Sequence, residues 1–252
     1  MTKKNTSWGN VADWYDDTIK DDNSFQTHVI APNMQRLLNI TKGQSVLDVA
    51  CGSGFFSKYC SEAGAHVTGI DIAPELITIA KNLKLPNTTF SVGNVETLPT
   101  VADKSIDTAF CILALQNIRN VSSVFKEVNR TLKPGGRFLV VLNHPTFRIP
   151  KQSSWGWDEA TKTEYRRIDG YLTESQIEID MNPGSHTKKE MTVSFHRSLQ
   201  YYFKVATNAG FCVSRLEEWI SHREPPAGKT FAARNKARKE FPLFLFLEFT
   251  KS

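Results

Sequence analysis

The stretch VLDVACGSGFFS, residues 46–57, decides the fold. An apolar strand runs into a glycine-rich turn, and a helix begins at once. In open α/β sheets ligands bind at such carboxyl ends of strands. Gly52 and Gly54 are placed where a backbone can approach a ligand closely. A dinucleotide fingerprint would need a third glycine for helix packing, but Phe55-Phe56-Ser57 follows instead. The phosphate loop G-x-x-x-x-G-K-[ST] is also absent. Asp48, at the end of the strand, would repel a pyrophosphate and would suit a ligand carrying an ammonium group.

Outward from that stretch, short runs apolar on both sides alternate with helical patterns. Residues 45–50, 66–71, 88–94, 106–112 and 137–143 read as strands of a sheet covered on both faces. Ala73-Pro74 opens a helix with proline at its first position. Val121, Val124, Phe125, Val128 and Leu132 share one helical face, and Pro134-Gly135-Gly136 stops that helix and turns the chain. Such alternation implies βαβ units and a parallel sheet with right-handed crossovers. The second strand ends in Asp71, where an acid can accept hydrogen bonds from both hydroxyls of a ribose. The third ends in Gly93-Asn94-Val95-Glu96; the Asn94 side chain can accept from an adenine amino group and the Val95 N–H can reach a ring nitrogen.

With those residues in place, residues 45–141 resemble the class I S-adenosylmethionine-dependent methyltransferases. DVACGSGFF resembles their first motif, GIDIAPELITIAK the ribose-binding motif, and VGNVETLPTVADKSIDTAF the adenine segment with the fourth strand. EVNRTLKPGGRFLVV is similar to the helix, turn and fifth strand. The resemblance implies an α/β, Rossmann-like, seven-stranded and mostly parallel sheet with helices on both faces, its last strand antiparallel. It also implies S-adenosyl-L-methionine as cofactor. On it the cofactor site comprises Asp48, Ala50, Cys51, Gly52, Gly54, Asp71, Ile72, Asn94, Val95, Cys111 and Gln116. Two positions depart from the family pattern: Ala50 stands where the first glycine is usual, and Asn94 where an acid is usual.

The whole chain is expected to be one methyltransferase domain. Residues 1–44 would form a helical cap, 45–143 the cofactor core, 144–197 a β-hairpin lid insertion, and 198–252 a helix with the last strands. Residues 144–170 read as a long loop. Residues 171–181 and 190–197 read as a hairpin around Asn182-Pro183-Gly184, with Ile177, Ile179 and Met181 facing Met191, Val193 and Phe195.

Methyl transfer needs no metal; alignment and exclusion of water are the protein's tasks. A base is needed only when the acceptor must lose a proton. Candidate catalytic residues are His144, just past the fifth strand, His196, alternating with Ser194 and Thr192 on a polar strand face, and Tyr15. Tyr15 and Trp14 are candidates to close over the cofactor, and Gln116 to face the methyl group.

The expected acceptor is a small molecule, and no membrane or nucleic-acid partner is expected. No run of about 18 apolar residues exists to cross a bilayer, and the polar MTKKNTSWGN start lacks a secretory signal, so a cytoplasmic location is expected. The four cysteines show neither C-x-x-C pairing nor metal-ligand spacing. A net charge of +5 is too small to announce nucleic-acid binding. The alternative, an RNA or protein methyltransferase, would use Arg148, Lys151, Arg166, Arg167 and the basic residues 229–239.

Overall fold

The structure, a computed structural model, describes residues 8–181 and 190–252; the Asn182-Pro183-Gly184 turn lies outside the described residues. Helices α1 (Ala12–Lys20) and α2 (Ala31–Leu38) precede β1 (Ser45–Val49). The alternating core follows: α3 (Phe55–Glu62), β2 (His66–Asp71), α4 (Pro74–Asn82), β3 (Thr88–Val92), β4 (Ile106–Ile112), α5 (Val121–Thr131) and β5 (Leu132–Asn143). Next come four insertion strands, β6 (Ser153–Asp158), β7 (Thr163–Ile168), β8 (Ser175–Asp180) and β9 (Met191–His196). The chain closes with α6 (Leu199–Asn208), β10 (Phe211–Trp219), α7 (Phe231–Glu240) and β11 (Phe244–Lys251).

Seven strands form one sheet in the order β10-β11-β5-β4-β1-β2-β3. β11 runs antiparallel to both neighbours, while the other contacts within the sheet are parallel. Alternate residues feed two cores. Leu47, Phe138 and Val140 pack with Phe125, Phe211 and Phe249 on one face. Val46, Leu139 and Val141 pack with Met34, Phe246 and Trp219 on the other. This is the both-faces burial expected of a doubly wound sheet. The strand order reverses between β1 and β4, so the crevice beyond their carboxyl ends is where the fold places a ligand.

α5 is capped by the Asn120 side chain, which accepts the Ser123 N–H at 3.2 Å. It ends at Thr131, but Pro134-Gly135-Gly136 lies inside β5. The pairing with β4 jumps from Ile106↔Leu132 to Thr108↔Arg137, so that expected turn is a bulge, with Gly135 at φ +72°.

Two expectations for residues 144–197 need correction. Residues 153–168 form a second antiparallel hairpin, β6–β7, rather than a loop. In the β8–β9 hairpin, Ile177 and Ile179 lie opposite Ser194 and Thr192, not Val193 and Phe195. Residues directly opposite share a face. The covered face of β9 is therefore its polar one, Thr192, Ser194 and His196, all buried.

Gly69 shows how tightly β2 and β3 are packed: a Cβ there would come within 2.5 Å of the Phe90 ring and 3.0 Å of the Cys51 sulfur. Gly69→Ala should destabilise the protein by about 1–3 kcal/mol, the usual cost of overpacking. Denaturant unfolding measures it; a wild-type midpoint would show that Phe90 moves aside freely.

Candidate functional site

A cavity of about 390 Å³ opens at the carboxyl ends of β1 to β4, within the size range of small-ligand sites. Of the residues expected at the cofactor, Ala50, Gly52, Asp71, Ile72, Asn94 and Val95 line it. The turn after β1 is held to the end of β2 by one carboxylate. Asp71 Oδ2 accepts the Gly52 N–H at 2.9 Å, and Oδ1 accepts the Ala73 N–H at 2.9 Å. Gly52 sits at φ +54°, as a backbone N–H turned towards that carboxylate requires. A carboxylate has about four acceptor positions, so two remain for a ligand's hydroxyls. Burial pushes the Asp71 pKa up, against the backbone N–H groups of Ala73, Gly52 and Ile72, which pull it down.

Asp48 lies behind the wall, 3% exposed, and accepts a 2.6 Å hydrogen bond from Ser57. Burial, with the Asp71 charge adding to it, pushes its pKa up to about 7. A cationic ligand relieves such a pair, whereas a phosphate worsens it. Beside them the half-exposed Ile72 and the buried Leu76 give the wall an apolar surface, and the Asn94 side chain accepts the Glu96 N–H at 2.9 Å. The donor and acceptor set therefore fits a nucleoside joined to a cationic group.

The remaining cofactor candidates are off the wall. The Cys51 side chain packs with Ile77, Ala80 and Phe90. Gly54 starts α3 at φ +82°, and a Cβ there would lie 2.9 Å from Phe90, so its role is packing. Cys111 is fully buried in the core; the wall begins one residue later, with Ile112, Leu113 and Ala114. Gln116 Nε2 donates to the Leu113 carbonyl at 2.7 Å and supports that wall from behind.

The three catalytic candidates separate. Tyr15 lines the cavity, where burial and the Asp71 and Asp48 charges push its pKa far up, so the phenol stays protonated. Its ring meets Trp8 edge-on at 5.3 Å, and Trp8, not Trp14, shares the wall. His144 turns away to β10. Its Nδ1 accepts the Thr146 N–H at 3.2 Å, so Nε2 carries the proton and donates to Glu218 at 2.8 Å. Burial lowers its pKa despite Glu218. His196 Nε2 donates to the Tyr171 carbonyl at 2.8 Å. Neither histidine is on the cavity wall. The far wall, which sequence patterns did not single out, is Asn117, Ile118 and Arg119 with Thr192 and Val193. Only the alternation of β9 hinted at it.

Residues 47–140 match a family model described as "Methyltransferase domain". The demethylmenaquinone methyltransferase of Tropheryma whipplei (strain Twist) is 38% identical over 113 residues, 44% of this chain and 46% of that protein. The ubiquinone biosynthesis O-methyltransferase of Xanthomonas oryzae pv. oryzae (strain PXO99A) is 37% identical over 105 residues, 40% of this chain and 44% of that protein. The chain thus spans less than half the length of these curated relatives. A crystal structure of an S-adenosylmethionine-dependent methyltransferase from Mesorhizobium loti superposes with a TM-score of 0.71 and 25% identity, covering 87% of this chain and 96% of that one. Among the described residues no helix is long and apolar enough to cross a membrane, and no group of three or more His, Cys, Asp or Glu could hold a metal.

Ala50, at φ +60°, pays for the absent glycine in backbone strain. An L-residue in that region costs about 1–2 kcal/mol, whereas Ala→Gly in ordinary elements loses about 0.5–1 kcal/mol. Ala50→Gly should therefore leave stability unchanged or raise it by up to about 1 kcal/mol. Thermal or denaturant unfolding decides; a loss of the ordinary size would show that Ala50 is unstrained.

Proposed function

We propose that this chain, a class I S-adenosylmethionine-dependent methyltransferase in its core, moves a methyl group to a small-molecule acceptor by in-line displacement. The observation that carries the reading is the Asp71 carboxylate, which joins the β1 and β2 turns and keeps two acceptor positions for the cofactor ribose. When bound, S-adenosylmethionine supplies a methyl group on a positively charged sulfur that departs without metal assistance.

The rest is done by the chain. Asp71 holds the ribose hydroxyls. Ile72 and Leu76 present apolar surface to the adenine, and the second lone pair of the Asn94 carbonyl is available to its amino group. Asp48 attracts the ammonium of the methionine portion, with Ser57 fixing its orientation. Trp8 and Tyr15 from the N-terminal segment, and Thr192 and Val193 from β9, cover the reacting centre and exclude water. Tyr15, kept protonated, orients the acceptor as a hydrogen-bond donor. Neither His144 nor His196 is on the cavity wall. Relatives named for quinone biosynthesis support a small acceptor. The macromolecular alternative draws little from the basic helix α7: Arg234 lies 3.6 Å from Glu164, and Arg238 lies 4.0 Å from Glu224.

Calorimetry tests the cofactor site. Asp71→Ala should weaken S-adenosylmethionine binding by about 1.5–3 kcal/mol, the cost of losing hydrogen bonds to a charged group. Unchanged affinity would contradict the assignment. Transfer of labelled methyl to components of a metabolite extract tests the reaction; label found only in RNA or protein would favour the alternative.

Asp48 makes the binding pH-dependent. Its carboxyl is about nine-tenths protonated at pH 6 if its pKa is about 7. A bound cation favours the carboxylate, so binding releases a proton and tightens as pH rises. Between pH 6 and 7.5 the affinity should rise by about fivefold to tenfold. Asp48→Asn should flatten that rise; a slope persisting in the variant would assign it to another group.

A further inference from the structure

We propose, building on the small-molecule reading above, that the acceptor carries an oxyanion, a carboxylate or a phosphate, on an apolar body, and that Arg119 is the residue that reads it. Arg119 lines the cavity and is the one cation among its described wall residues. It follows the short helical turn Leu115–Asn117 and precedes α5. Its flanking wall is apolar: Ile112, Ile118 and Val193.

The segment bearing Arg119 is held rigidly. Arg197, only 4% exposed, donates to the Ile118 carbonyl at 2.9 Å, the Arg119 carbonyl at 2.7 Å and the Leu115 carbonyl at 3.4 Å. Asn117 Nδ2 donates to the Val193 carbonyl at 2.9 Å, tying the same segment to β9. A buried guanidinium thus fixes the backbone from which a second guanidinium projects. Such support is what a ligand-orienting side chain needs.

Arg119 itself is exposed and makes few protein contacts. Its guanidinium lies 5.4 Å from the Phe195 ring centroid, and Arg197 lies 4.8 Å from the same ring. Its hydrogen bond is a long one, 3.3 Å, to the neutral Gln176 side chain. Five N–H donors are available on an arginine. Among the described residues no carboxylate lies within 4 Å of it. By contrast Arg36 pairs with Glu217 at 2.6 Å, and Arg130 pairs with both Glu127 and Asp103. Glu174 approaches Arg197 at 4.0 Å and is itself mostly exposed, and the two guanidinium groups share one aromatic ring. Of the cavity's carboxylates, Asp71 ends β2, while Glu96 Oε1 accepts the Asn120 N–H at 3.0 Å, next to the Arg119 backbone. An anionic acceptor is repelled by Asp71 and drawn to Arg119, whose planar fork matches an oxyanion.

The test uses full-length protein saturated with S-adenosylhomocysteine and four eight-carbon probes: octanoate, octyl phosphate, octanamide and octylamine. Calorimetry should show at least one anion binding about tenfold or more tighter than octanamide, the scale of a charge-assisted pair. Octylamine should bind weakest. The tighter anion identifies the head group as carboxylate or phosphate. Arg119→Gln should remove the preference for anions while S-adenosylhomocysteine affinity stays at the wild-type value. Arg119→Lys, keeping charge but losing the fork, should retain part of it. Equal binding of octanoate and octanamide, preference for the amine, an undiminished anion preference in Arg119→Gln, or no probe binding at millimolar concentration would each overturn the proposal. Failure of wild type to bind S-adenosylhomocysteine would instead overturn the methyltransferase reading beneath it.

Discussion

The hydrogen bond from the Gly52 N–H to the Asp71 carboxylate, 2.9 Å long, is the contact on which the site depends. It joins the turn after β1 to the end of β2, and the same carboxylate starts the next turn through the Ala73 N–H. Two loops meet at one side chain. The geometry needs a left-handed residue at position 52 and a neighbour, Ala50, that also accepts a positive φ. It needs Gly69, so that Phe90 can pack beneath the turn. A buried carboxylate is costly unless its lone pairs are satisfied. Two amide donors satisfy half of Asp71; a ligand bringing two hydroxyls would satisfy the rest.

The cavity is electrically polarised. Asp48 and Asp71 lie at the β1 and β2 ends, and Arg119 stands on the wall that meets the β8–β9 hairpin, with Glu96 bonded to the adjacent Asn120 N–H. Burial also sets protonation: it lifts Asp48 towards neutrality and keeps Tyr15 a donor. The histidines take no part in this field. His144 is spent on Thr146 and Glu218, and His196 is bonded to Tyr171.

The sheet and its ligand end were legible because their signals are local. Strands apolar on both faces, glycines at a strand end, and an acid at the end of the next strand each follow from one element's own requirements. What was hidden depends on pairing between elements. Residues 153–168 alternate, with Trp155 and Trp157 set against Arg166 and Glu164, but Gly156 and the surrounding charges mask the period. In the β8–β9 hairpin a one-residue difference in register exchanges every face, and no local rule says that Thr192 and Ser194 point inward. His144 follows β5 as expected, yet the fold of β10 brings Glu218 beside it and turns the ring from the cavity. Arg119 carries no motif at all; its role emerges only where the loop after β4 meets β9.

The measurement that bears most directly on the account is a crystal structure with S-adenosylhomocysteine. Both ribose hydroxyls are expected on the Asp71 carboxylate, the adenine against Ile72 beside Asn94, and the amino acid portion reaching towards Asp48. A ligand bound with its ribose away from Asp71, or in a different cavity, would contradict it.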